Sequence, residues 1–215
     1  MDDFTIILPH LRNPGNDRAL SIAIDMLMAN TTNDFTLLIE AVRGGSLYDT
    51  VNAMVRATTT EAFVYWSSDM FPAVGWDEPM IALYTPDTIV TNVLVEPGAI
   101  GMHGNNVHKD FGRTPERFRR ADFEAYATSP DAHYNPDNHG WFAPYLMSRE
   151  GFLEVGGLQS GLPGDHHGFS GADELMFAEW QAAGKSIKRA RSFVFHLQRW
   201  SQQDEQEHEK RGHQA

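Results

Sequence analysis

The sequence predicts an α/β fold: one Rossmann-like domain with a mostly parallel central sheet flanked by helices. Three observations lead there. The first third alternates between short apolar runs and segments of helical period. The connections between them are only a few residues long, which favours parallel strands joined by right-handed crossovers. At 215 residues, with 41% hydrophobic and 21% charged side chains, the chain has the size and composition of one folded domain with one core. No internal repeat and no second core is apparent.

The elements follow in order. TIILPH (5–10) reads as a short buried strand. NDRALSIAIDMLMAN (16–30) reads as a helix, with Leu20, Ile24, Leu27 and Met28 on one face and Asn16 or Asp17 as its cap. DFTLLIEAV (34–42) is a second strand, broken by GGS (44–46), and LYDTVNAMVRATTT (47–60) a second helix facing inward through Leu47, Val51, Met54 and Val55. EAFVYWSSD (61–69) is a third strand that ends in a carboxylate before the turn PAVGW (72–76). TIVTNVLV (88–95) is another strand. The segment from 97 to about 140 is rich in Gly, Asn, His and Pro and reads as a long irregular loop. WFAPYLMS (141–148) returns to strand character. ADELMFAEWQAAG (172–184) is a helix with Leu175, Met176 and Trp180 inward, closed by Gly184. The last strand ends near His196, and residues 201–215 form a charged flexible tail.

Composition narrows the function. There is no cysteine, so a metal would be held by oxygen and imidazole alone. With 17 basic and 29 acidic residues, the net charge of −12 disfavours a broad grip on nucleic acid, although RTPERFRR (113–120) with Lys109 is a local basic candidate. No run of 18 apolar residues is present, and MDDFTIILPH lacks the basic and small-residue features of a signal peptide, so the expected location is the cytoplasm with no membrane span.

In a parallel α/β sheet, ligands bind beyond the carboxyl ends of the strands. Three polar residues stand at such strand ends or at a helix start: Asp69, Asp173 and His196. Each also fits an ordinary structural role, as a turn residue, a helix-dipole partner or a hydrogen-bonded histidine.

Their order and surroundings resemble the GT-A glycosyltransferases, in particular the small inverting family-2 type of bacteria and phages. The resemblance runs from residue 4 to about 198. It is carried by LPHLRN (8–13), IEAVRGGS (39–46), SSDM (67–70) with PAVGW (72–76), APYLMSREGFLEVGGL (143–158), GADELMFAEWQAAGKSIKR (171–189) and FVFHLQ (193–198).

The resemblance implies one GT-A domain over 1–200, with a nucleotide-sugar-binding half (1–84) and an acceptor-binding half (85–200). It implies Asp173 as catalytic base and Asp69 and His196 as ligands of Mn²⁺ or Mg²⁺. It also implies donor contacts from Pro9, His10, Arg12, Glu40, Arg43, Asn52 and Ser67, and acceptor contacts from Trp141, Gly157, Asp165 and Glu174. The reaction would be inverting transfer of a sugar, with a UDP-sugar favoured as donor, to a glycan or to a hydroxymethylated base of phage DNA.

The chain departs from the family pattern at known places. Glu40 and Ala41 replace an acid pair, Ser67 and Ser68 stand where a second carboxylate is usual, and Ala172 replaces a glutamate. Two other readings stand beside this one. One is a non-catalytic nucleotide-sugar-binding module. The other is a zinc hydrolase built from Asp165, His166 and His167 with His103, His108, His133 and His139.

Overall fold

The computed structural model describes residues 3–42, 46–98, 106–137, 140, 142–159 and 171–197. The charged tail, Arg43, Trp141, Asp165, His166 and His167 lie outside them. The elements run β1 (Phe4–His10), α1 (Pro14–Asn30), β2 (Phe35–Ala41), α2 (Leu47–Ala57), β3 (Ala62–Tyr65), β4 (Met70–Pro72), α3 (Asp77–Ile81), β5 (Thr88–Glu96), β6 (Val107–His108), α4 (Arg120–Thr128), β7 (Tyr145–Ser148), α5 (Arg149–Glu154), α6 (Ala172–Ala182) and β8 (Ser186–His196).

The strands form an eight-stranded sheet in the order β2-β1-β3-β7-β5-β8-β4, with β6 added beside β5. The first half is parallel as expected, β1 pairing with both β2 and β3. In the second half the sheet is mixed: β7 runs antiparallel to β3 and β5, while β8 runs parallel to β5 and antiparallel to β4.

Local chemistry explains the helix starts. α1 begins earlier than its apolar period suggests, because Asn13 caps it by accepting from the Asn16 amide and Pro14 occupies the first turn. Neither Asn16 nor Asp17 is the cap. Its inward face is also rotated from the expected one. Ala19, Ala23, Met26 and Leu27 are buried, and Met28 is 63% exposed. α2 is capped by Ser46 and buries Val51, Met54 and Val55. The expected long loop contains structure of its own, the short strand β6 and the helix α4, whose Phe123 is fully buried.

Apolar packing occupies both faces of the sheet. The larger cluster joins Phe4, Ile6, Phe63, Trp66, Trp76, Tyr145, Phe152, Phe177 and Trp180. A second cluster joins α1 and α4 to β4, β5 and β8 through Ala23, Phe71, Phe111, Phe123, Phe193 and Phe195. Side chains of successive strand residues point to opposite faces, and here both faces are covered, as in a sheet flanked by helices. On β8, Val194 belongs to one cluster and Phe193 and Phe195 to the other.

The larger cluster fixes α6, the helix that carries Asp173. Trp180 packs against α5 at Gly151, where an added Cβ would lie 2.5 Å from the indole and 2.6 Å from Ser148 Oγ. Replacing Gly151 by alanine is therefore expected to destabilise the fold by about 2–3 kcal/mol through overpacking. Urea denaturation of Gly151→Ala against the wild type measures this. An unchanged midpoint would show that α5 and Trp180 are not in the tight contact described.

Candidate active site

Strand order brings three distant residues together. Because β8 lies between β5 and β4, the pairs Val95–Phe195 and Met70–His196 align the ends of all three strands. Asp69 directly precedes β4, and its carbonyl accepts from the Leu197 amide at 3.1 Å. The turn that delivers it is held by Trp66, whose indole N–H donates to the Met70 carbonyl at 3.0 Å. The result is a row of side chains, with Glu96 and Asp69 on either side of His196.

His196 Nε2 lies 3.4 Å from Asp69 Oδ2, and His196 Nδ1 lies 2.7 Å from Glu96 Oε1. Ser67 Oγ donates to Asp69 Oδ1 at 2.7 Å, and Asn106 Nδ2 donates to Glu96 Oε2 at 2.7 Å. Burial disfavours a charge on Asp69, but His196 and the hydrogen bond from Ser67 outweigh it and hold the carboxyl below its usual range. For His196, burial disfavours the imidazolium, and the two flanking carboxylates more than compensate, pushing its pKa up to about 10.

The donor set can hold a divalent cation. Two ligand atoms about 2.1 Å from one ion stand roughly 3.0 Å apart at a right angle and roughly 3.4 Å apart at a tetrahedral angle. The Asp69–His196 separation of 3.4 Å falls within that span. Among the described residues no group of three histidine or acidic side chains converges as a complete metal cage. A cation here would take its remaining ligands from elsewhere.

Asp69 also lines an open cleft, together with Pro9, Leu11, Asn16, Leu47, Tyr65, Trp66, Ser67 and Ser68. Tyr65 leads from this cleft to the second carboxylate. Its ring meets that of Tyr145 edge-on at 5.5 Å, and the Tyr145 hydroxyl donates to Asp173 Oδ1 at 3.5 Å. Burial raises the Tyr65 phenol well above its ordinary pKa, and the charges of both Asp173 and Asp69 raise it further. Burial also pushes the Asp173 carboxyl up; the Tyr145 hydrogen bond offsets part of this, the Glu174 charge adds to it, and the pKa reaches about 7. Asp173 sits in the first turn of α6, half-buried, on a helix whose Phe177 packs against Tyr145.

The other sequence candidates separate into groups. Pro9 and Ser67 line the cleft. Arg12, Glu40 and Glu174 are exposed. His10 is turned away from solvent toward α1, where its Nε2 meets Asp17 Oδ1 at 2.6 Å.

Asn52 and Gly157 lie close together, with Asn52 bonded to the backbone of the next residue, Leu158. The Asn52 amide donates to the Leu158 carbonyl and accepts from the Leu158 N–H, and a Cβ on Gly157 would lie 2.6 Å from Asn52 Oδ1. The backbone needs glycine there both for that approach and for its φ of +69°.

Glu96 and Asn16 were not among the sequence candidates. Glu96 follows the same signal that singled out Asp69, a carboxylate closing an apolar strand. The basic cluster is largely neutralised by neighbours: Arg113 pairs with Asp110, Arg119 with Asp122 and Arg120 with Glu124.

At the level of sequence, no family model and no curated protein matches the chain. Solved structures do match in shape. GalNAc-T7, in a structure with UDP, GalNAc and Mn²⁺, aligns over 91% of this chain with a TM-score of 0.58 and 13% identity. Drosophila β-1,4-galactosyltransferase 7, in a mutant complex with manganese, UDP-Gal and xylobiose, aligns over 88% with a TM-score of 0.53 and 11% identity. The chain spans 44% of the first of these proteins and 65% of the second. The shared property is the fold, and the fold is GT-A.

The raised pKa of Asp173 has a consequence for stability. In the unfolded chain the group titrates near 3.8 and in the fold near 7. The native state thus binds the extra proton between those values, and stability falls as pH rises through this window. Asp173→Asn is expected to leave stability at pH 4 nearly unchanged and to raise it at pH 8. The gain should be about 2 kcal/mol, less than the roughly 4 kcal/mol that a three-unit shift allows, because the group is not fully buried. Denaturant titrations at the two pH values measure it, and an equal effect at both would contradict the assigned shift.

Proposed function

We propose that the protein is a metal-dependent inverting glycosyltransferase that moves a sugar from a nucleotide-sugar donor to an acceptor hydroxyl. The observation that carries this reading is a pair of carboxylates in opposite electrostatic states, one lining the cleft and the other reached from it through two tyrosines in edge-on contact. Asp69 is held ionised beside His196, and Asp173 is raised to about 7 across the Tyr65–Tyr145 pair. Groups whose environments push their pKa values apart are suited to different tasks in one reaction.

In this reading Asp69 Oδ2 and His196 Nε2 hold Mn²⁺, or Mg²⁺ less tightly, since imidazole with carboxylate suits the transition ion better. An ion held there would supply positive charge against the departing diphosphate. Ser67 keeps the Asp69 carboxylate oriented. Asp173 accepts the proton from the acceptor hydroxyl as that oxygen attacks the anomeric carbon, and a base with a pKa near neutrality is matched to that transfer. Attack opposite the leaving group inverts the configuration.

The donor half is residues 1–84, whose cleft residues Pro9, Leu11, Asn16, Leu47 and Tyr65 would receive the nucleotide. The acceptor half is residues 85–200. The presence of UDP or UDP-Gal with manganese in the two similar structures supports a UDP-sugar donor. The pairing of the arginine cluster with its own acids supports a glycan acceptor over phage DNA, because paired arginines offer little net charge to phosphates. No helix among the described residues is long and apolar enough to cross a membrane.

A thermal-shift panel of nucleotide sugars tests the reading. A UDP-sugar is expected to raise the melting temperature in Mn²⁺ and to lose that effect in EDTA. Stabilisation without metal and without turnover would favour a binding module, and stabilisation by zinc alone a hydrolase. Asp173→Asn should retain donor binding and lower kcat by about 10²–10⁴-fold. In the wild type, kcat should rise with pH through about 7, as Asp173 loses its proton. Full activity in the variant, or product of retained anomeric configuration, would overturn the assigned base.

A further inference from the structure

We infer that Glu96 is a positioning residue for the cation site, selecting the tautomer and orientation in which His196 presents a lone pair toward Asp69. The inference rests on the proposal that Asp69 and His196 hold a divalent ion.

Glu96 closes β5 and is only 3% exposed. Its carboxylate is gripped from two directions: Oε1 lies 2.7 Å from His196 Nδ1 and Oε2 accepts from Asn106 Nδ2 at 2.7 Å. Its backbone carbonyl accepts from the Lys109 amide at 2.8 Å, which ties the segment after β6 to the same point.

An ionised carboxylate has only acceptors, so the ring nitrogen facing it must be the one bearing hydrogen. His196 faces a carboxylate at each nitrogen, but Glu96 is the closer at 2.7 Å against 3.4 Å for Asp69, so when a cation takes the place of the proton at Nε2 the remaining hydrogen is held on Nδ1 by Glu96. A metal-binding imidazole needs that arrangement, and a carboxylate behind the ring also makes the ligand nitrogen more basic. The sheet enforces it. His196 is paired through its backbone to Met70 on one side and follows the Val95–Phe195 pair on the other, so the ring has a carboxylate at each nitrogen.

A buried ion pair that merely glued β5 to β8 would leave metal preference untouched. A positioning role would not. Without an oriented imidazole the site reduces to the Asp69 carboxylate and water, a donor set that favours Mg²⁺ as much as Mn²⁺.

The experiment is calorimetric titration of Mn²⁺ and of Mg²⁺ into the full chain and its variants Glu96→Gln, Glu96→Ala and His196→Ala. Melting temperatures of the metal-free proteins serve as fold controls. Glu96→Gln keeps the shape of the side chain and should lower Mn²⁺ affinity about 10-fold, and Glu96→Ala up to about 100-fold. Mg²⁺ affinity should change less than about threefold in both, so that the Mn²⁺ preference collapses. If Glu96→Ala does not fold, Glu96→Gln decides alone. Wild-type Mn²⁺ affinity in a folded Glu96 variant, with weakened binding in His196→Ala, would overturn the positioning role and leave the cation site standing. No Mn²⁺ binding to the wild type, or full binding by His196→Ala, would overturn both.

Discussion

The site depends on where β8 sits. Its parallel pairing with β5 and antiparallel pairing with β4 place the end of one strand between the ends of two others. Backbone hydrogen bonds, not side-chain preference, thus set Glu96, His196 and Asp69 side by side, although 100 residues separate Glu96 from His196. A one-residue slip in either pairing would turn His196 to the opposite face. The aromatic clusters above and below the sheet oppose such a slip. Phe193 and Phe195 are packed on one side and Val194 on the other, so each face resists exchange with its neighbour.

The same sheet gives two carboxylates opposite electrostatic character. Asp69 lies where a histidine and a serine hydroxyl stabilise its charge. Asp173 lies at the start of α6 against tyrosine rings, where burial outweighs the hydrogen bond from Tyr145. The contact of Trp180 with α5 and of Phe177 with Tyr145 fixes that helix, so the environment of Asp173 is a property of core packing. Tyr65 connects the two, lining the cleft at Asp69 and touching the ring that reaches Asp173.

Several local features were legible in the sequence and several were not. The 3.6-residue period located α1, but its cap and inward face were set by Asn13, Pro14 and small alanines that carry little periodic signal. α4 was hidden in a segment of mixed composition, since its buried face is only Phe123 and Ala127. Asn52 and Gly157 are distant in sequence and no spacing links them; their close approach, with Asn52 bonded to the Leu158 backbone, is visible only in the fold. Glu96 went unnoticed because no short spacing links it to His196, although it closes the apolar run TIVTNVLV as Asp69 closes its own.

The sequence by itself determined the α/β class, the parallel first half and the three residues at its strand ends and helix start, because alternation of period and placement of polar residues are local properties of the chain. The tertiary structure decided which of those residues meet, that a third carboxylate stands behind His196, and how far Asp173 is shifted. Those follow from strand order, register and burial, which depend on contacts between segments remote in sequence.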